Sequence, residues 1–267
     1  MDAHLRAVAR VYGPETWDVY DLLDRSLDPR GPETMQALAT ERLTPASVAL
    51  DVGCRDAFHL IQLARTTGAS GVGIDPVARF VERARAAVAD AGLNDRIQIV
   101  EAAMQNLPWP AGSFDLVWCN DVIELVEPLE AAIAEVAHVL RPGGHLILFT
   151  VCATDRLEPK EAALLAQNLA VVPANLAEEK VEAAFERAGP AVTLEQAIGT
   201  EWREHAEERT QPVSQDLLRL ARLRRQRDRI IQEAGPEIYG HIESNLHWSV
   251  LQFLGKLLPT IYVLRNG

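Results

Sequence analysis

Val48 to Leu60, Val-Ala-Leu-Asp-Val-Gly-Cys-Arg-Asp-Ala-Phe-His-Leu, is the stretch that most limits what this chain can fold into. A short apolar strand runs straight into a turn and then a helix, and the same strand-then-helix unit recurs downstream, so the sequence predicts a parallel sheet. Val48 to Val52 is apolar enough to be covered on both faces. Gly53 stands where the chain must leave the sheet and bend, a position that rewards a residue free of a Cβ. The second unit, Ser70-Gly71-Val72-Gly73-Ile74-Asp75, is another buried strand, and it ends in a carboxylate. That spacing is where nucleotide-binding units place the acid that grips ribose hydroxyls.

A dinucleotide site wants Gly-x-Gly-x-x-Gly so that the backbone can approach a pyrophosphate. The turn here, Gly53-Cys54-Arg55-Asp56-Ala57-Phe58, does not meet that template. A ligand with an adenosyl group and no phosphate needs only Gly53 and the carboxylate of Asp75. These residues resemble the class I S-adenosylmethionine-dependent methyltransferases, in particular the small-molecule branch that includes quinone-biosynthesis enzymes. The resemblance runs from about Val48 to Thr150.

By that resemblance, Asp51-Val52-Gly53-Cys54 corresponds to the family's first motif, whose turn, continuing through Arg55, lies against the methionine half of the cofactor. Asp75 corresponds to the ribose-binding acid, followed by Pro76. Ala103, Met104 and Gln105 fall beside the adenine. Leu107-Pro108 and Phe114-Asp115-Leu116-Val117 lead into a fourth strand, with Asn120 and Asp121 at its end beside the cofactor. Arg141-Pro142-Gly143-Gly144 and His145 to Val151 match the turn and fifth strand. The sequence departs from the family at Arg55 and Ala57, where glycines are usual, at Ala103, where an aspartate commonly bonds adenine, and at Leu125, where histidine is frequent. The implied fold is a Rossmann-like, doubly wound, seven-stranded mostly parallel sheet of order 3-2-1-4-5-7-6 with strand seven antiparallel. The implied cofactor is S-adenosyl-L-methionine, with S-adenosyl-L-homocysteine as product.

The chain of 267 residues, 48% hydrophobic, suffices for one α/β core. Its formal charge of −12 argues against nucleic acid as a partner, because that binding relies on Lys and Arg neutralising phosphates. A small-molecule acceptor is expected instead, with the protein a monomer or homodimer. Nothing at Met1-Asp2-Ala3-His4 resembles a signal peptide, and no apolar run nears the roughly 20 residues that span a bilayer. A soluble, cytoplasmic protein without a membrane partner is therefore expected. Cys54, Cys119 and Cys152 suit neither a disulfide framework nor zinc, and no metal is expected.

Residues 1–45 read as a helical cap over the strand ends, broken at Gly13-Pro14 and Pro29-Arg30-Gly31-Pro32, with Tyr12, Trp17 and Tyr20 packing there. Tyr20 is the aromatic residue assigned to the cofactor, because a sulfonium near an aromatic face is favourable by about 0.5 to 2 kcal/mol. Residues 46–200 form the core, 201–256 a helical lid and 257–267 the last strand, all within one domain. Asn175-x-x-Glu178 reads as a capping box opening a helix that Gly189 closes. Leu217 to Ile231 reads as one arginine-rich helix with a solvated face, and its arginines are the alternative site for an acceptor carboxylate or phosphate.

Methyl transfer from a sulfonium needs the acceptor held close, aligned and dry. It needs a base only when the acceptor must lose a proton. Asp121, Glu124 and His59 are the candidate catalytic residues, with His241 and His247 in the lid as further candidates. The acceptor atom is left as O, N or C. A short-chain oxidoreductase needs Tyr-x-x-x-Lys, which none of the four tyrosines provides. A nucleic-acid amino-methyltransferase needs Asn-Pro-Pro-Tyr where this chain has Asn120-Asp121-Val122-Ile123, and a cytosine enzyme needs Pro-Cys, which is absent. A protein of this fold that binds S-adenosylmethionine without using its methyl, as a sensor or cyclase-like scaffold, stays open as the alternative.

Overall fold

The computed structural model describes residues 3, 6, 7, 11, 19, 20 and 22–267. Tyr12 and Trp17, expected in the cap, lie outside the described residues. Seven strands form one sheet: β1 (Val48–Val52), β2 (Ser70–Asp75), β3 (Ile97–Glu101), β4 (Phe114–Asn120), β5 (Leu140–Ala153), β6 (Ala191–Ala197) and β7 (Leu257–Arg265). Their order is β3-β2-β1-β4-β5-β7-β6, as the resemblance implied. The pairings β1–β2, β1–β4, β2–β3 and β4–β5 are parallel, and β7 runs antiparallel between β5 and β6.

Alternation along the strands sends side chains to two cores. Ala49, Leu116, Trp118 and Ile147 join one face with α1 (Glu33–Thr40), α2 (Phe58–Thr67) and α3 (Ala78–Asp90). Leu50, Val117, Cys119 and Leu146 join the other with α4 (Leu129–Val139) and α6 (Glu178–Ala188), a helix that follows α5 (Pro159–Leu169). Both faces are covered, which is why the strands carry near-continuous apolar runs. Gly68, left-handed at φ +75°, ends α2 as its C-cap.

Four helices are inserted between β6 and β7: α7 (Glu201–Thr210), α8 (Pro212–Arg225), α9 (Arg227–Ala234) and α10 (Pro236–Phe253). Leu220, Leu223, Tyr239 and Leu246 give them a small core of their own. Proline at the first positions of α8 and α10 suits helix starts. Among the described residues, no helix is long and apolar enough to cross a membrane.

Three local expectations change. The helix expected over 217–231 is broken at Gln226, so its arginines are split between α8 and α9. Arg219, Arg224, Arg227 and Arg229 pair with Asp216, Glu243, Asp228 and Glu233 on the exposed surface. Asn175 caps no helix: it is 2% exposed, and its side-chain amide donates to the carbonyls of Ile123 (2.8 Å) and Val126 (2.7 Å). The capping box belongs instead to α5, where Glu158 and Glu161 satisfy each other's backbone N–H groups. Arg141 to Gly144 lies within β5 as an irregularity in its pairing with β4, held by the Gly143 N–H to Asn266 O at 2.9 Å.

Candidate active site

A cleft of about 520 Å³ opens at the carboxyl ends of β1, β2 and β4. Open α/β sheets bind ligands at such a switch point, here where β1 separates β2 from β4. Asp51, Gly53, Cys54, Arg55, Asp75, Pro76, Ala103, Met104, Gln105, Asn120 and Asp121, every residue assigned to the cofactor except Tyr20, line it. Tyr20 is 53% exposed and does not line the cleft, so the structure does not place it at the cofactor. Composition and aromatic type gave no way to tell a surface tyrosine from one facing a ligand.

The floor is the turn after β1. Gly53 has φ +69°, and a Cβ built there falls 2.5 Å from Val122 Cγ2, so a side chain would displace the wall. Arg55 and Ala57, at the family's glycine positions, are left-handed at φ 49° and 58°. That is uncommon outside glycine, and for Ala57 the tight fit of a wholly buried residue holds it there. The Arg55 guanidinium lies over the ring of Phe80, 5.9 Å from its centroid, and both residues line the cleft.

Asp75 is 4% exposed, and its two carboxylate oxygens accept the Val77 N–H at 2.9 Å and the Arg55 N–H at 3.2 Å. A carboxylate offers about four lone-pair sites. Two are left for donors from the cleft. Asp51 is 3% exposed and its Oδ2 is buried without a hydrogen-bond partner. Burial pushes its pKa up to about 8, opposed by the Leu60 backbone N–H and reinforced by Asp56 and Asp75. A buried carboxylate in that state is suited to a cationic donor from the cleft. Among the described residues, Asp51, Asp56, Asp75 and Asp121 share the lining with one cation, Arg55. This wall favours a sulfonium with an ammonium group and disfavours a pyrophosphate. The adenosyl group would meet Val77, Phe80 and Met104, apolar residues of which Val77 and Phe80 were not foreseen.

The three catalytic candidates differ. His59 lines the cleft but lies against Trp118, ring centroids 5.2 Å apart, and burial lowers its pKa. Glu124 is 1% exposed; its Oε1 accepts the Thr150 hydroxyl at 2.7 Å and the Val151 N–H at 2.6 Å, and burial next to Asp121 raises its pKa. It therefore ties the turn after β4 to β5. Asp121 is left-handed at φ 59° and opens to the cleft while surrounding protein crowds its carboxylate. That desolvation raises its pKa against Arg203, Arg55 and a hydrogen bond from the Trp248 side chain.

Asp121 and Leu125 also line a second cavity of about 210 Å³, closed by Leu169, Val171, His241, Asn245 and Trp248. The lid residues of this cavity, other than His241, carried no sequence signal, because only tertiary contact brings α10 to the end of β4. Desolvation raises the thiol pKa of each buried cysteine, so none is poised as a thiolate. Among the described residues no group of three or more metal-ligating side chains converges.

Residues 50–148 match the family profile described as a methyltransferase domain. This stretch carries a methyltransferase domain, and in sequence the chain is similar to small-molecule methyltransferases. It is 32% identical over 144 residues to methyltransferase GfsG of Streptomyces halstedii, covering 52% of each chain. It is 31% identical over 176 residues to the malonyl-[acyl-carrier protein] O-methyltransferase of Methylovorus sp. (strain MP688), covering 62% of this chain and 58% of that one. The matched stretch thus spans little more than half of either relative. In fold it is similar to geranyl diphosphate methyltransferase in complex with SAM, with a TM-score of 0.65 at 14% identity over 88% of this chain and 85% of that one. The [4+2]-cyclase SpnF gives a TM-score of 0.67 at 17% identity, covering 87% and 80%.

Proposed function

We propose that this methyltransferase moves the methyl group of S-adenosylmethionine to an oxygen of a small-molecule acceptor held in the second cavity. The observation that carries the reading is the acidic, phosphate-averse cleft, with a half-used carboxylate at Asp75 and one at Asp51 whose Oδ2 has no partner. When bound, the cofactor supplies a positively charged sulfur whose methyl is the electrophile. Asp75 would hold the ribose, Asp51 the amino group of the methionine half, and Met104 with the backbone near Gln105 the adenine. Asp121 borders both cavities and would orient the acceptor's reacting group. Glu124 and His59 would keep the walls in place. Residues 201–256 act as the lid that shuts out water, over a core of 46–200.

Positioning of this kind is worth roughly 7 to 11 kcal/mol of barrier. Calorimetric titration with S-adenosylmethionine, S-adenosylhomocysteine and NAD tests the cofactor, and heat from NAD alone would reject it. Labelled-methyl transfer into a metabolite extract tests the reaction: binding without transfer would favour the non-methylating alternative.

A further inference from the structure

The second cavity is walled by Leu125, Leu169, Val171 and Trp248, with its polar groups gathered at Asp121, Glu124, His241 and Asn245. Both acidic residues face it, and among the described residues no cation lines it. Arg203, the charge nearest in influence to Asp121, is committed through Nε to Gln252 Oε1 at 2.8 Å and does not line the cavity. An anionic acceptor would enter a wall with no counter-charge. A neutral apolar compound meets four apolar side chains and a cluster of hydrogen-bond acceptors.

His241 is exposed on α10 and anchored at one ring nitrogen. Its Nδ1 lies 3.1 Å from the carbonyl of Asn168, in the last turn of α5, where main-chain oxygens lack helical partners. A carbonyl only accepts, so Nδ1 carries the proton and Nε2 the lone pair. Two further contacts fix this crossing. Gly240 allows α10 to approach so closely that a Cβ there would sit 2.8 Å from Asn168 Oδ1, and the Asn168 amide donates to Ser244 Oγ at 3.0 Å. Among the described residues, Nε2 of His241 has no hydrogen-bond partner. Asp121, by contrast, lies within the electrostatic reach of Arg203 and Arg55.

We propose that this cavity takes a neutral, apolar hydroxyl compound of about one ring, and that Nε2 of His241 receives its proton during transfer. The proposal rests on the methyltransferase reading above. The acceptor oxygen forms its bond to the methyl carbon as the carbon–sulfur bond breaks with its electron pair left on sulfur. The oxygen–hydrogen bond breaks, and its proton goes to Nε2, leaving an imidazolium that later releases it to water. The products are a methyl ether and the neutral thioether of S-adenosylhomocysteine.

Labelled-methyl transfer to phenol, aniline and benzoate at saturating S-adenosylmethionine tests both halves. These acceptors are nearly equal in size, but aniline attacks through a free lone pair and sheds its proton afterwards. Phenol should accept label with kcat/KM at least tenfold above that of benzoate. His241→Gln should lower kcat for phenol about 100-fold or more, within the range for a lost general base. It should lower kcat for aniline less than tenfold, and His241→Asn should behave alike. The dissociation constant for S-adenosylmethionine, measured on the same variants, should stay within twofold and reports folding. Benzoate preferred over phenol, equal losses on phenol and aniline, or a cofactor-binding protein that labels none of the three would overturn the proposal. Failure to bind S-adenosylmethionine at all would remove the methyltransferase reading itself.

Discussion

The cofactor cleft and the lid are built by opposite means. The cleft is made of turns between strands buried on both faces, so each of its walls is anchored in one of the two sheet cores. The inserted helices share a core of their own made of only four buried side chains, and neither α7 nor α9 buries a single residue. A site that must present fixed carboxylates benefits from the first kind of support. A surface proposed to admit an acceptor and then close over it would benefit from the second, since low local stability is what allows movement.

The largest expected effect contrasts the two supports directly. Leu50→Ala, at a wholly buried site in β1, should cost about 3 to 5 kcal/mol in denaturant unfolding, whereas Leu223→Ala in the lid, 6% exposed, should cost about 2 kcal/mol. Equal losses would mean that the lid is as firmly built as the sheet. Next, Asp75→Ala should weaken S-adenosylmethionine binding by about 1.5 to 3 kcal/mol by calorimetry. Arg222→Ala on the exposed face of α8 should leave it unchanged.

The third effect is a pH dependence. Asp51 holds its proton up to about pH 8 in the free protein. A cationic ligand favours the ionised form, so binding releases a proton, and affinity should rise about tenfold from pH 7 to 8.5. Asp51→Asn should flatten that rise; an unaltered slope would assign the cation to another group. The smallest effect concerns Glu124, whose folded pKa is raised by burial. Its contribution is complete below the ordinary carboxylate pKa and is lost as pH climbs toward the raised value. Glu124→Gln should therefore gain on the wild type by on the order of 1 kcal/mol between pH 5 and 8 in denaturant unfolding. A constant difference across that range would contradict the buried, protonated carboxyl.

The parts legible in the sequence were those with local signatures. Val48 to Val52 and Ser70 to Asp75 announce themselves because a strand buried on both faces must be apolar throughout, and Gly53 because the bend there leaves no room for a Cβ. Asp75 followed from its place at a strand end. The break at Gln226 has neither glycine nor proline to mark it. Asn175 looks like a helix cap until the fold brings Ile123 and Val126 to its amide. Trp248 and Asn245 reach the acceptor cavity only because α10 crosses the end of α5, a contact no short window of sequence contains.

The position of β7 bears on how the molecule is made. Its partners β5 and β6 are both synthesised earlier, and residues 154–256 must leave the ribosome after β5 is complete and before β7 can close the gap. At common translation rates β5 carries an unpaired edge for roughly 5 to 20 s. Such an edge invites pairing with other nascent chains, so a chaperone, or temporary cover by the nascent lid helices, would have its greatest effect in that interval.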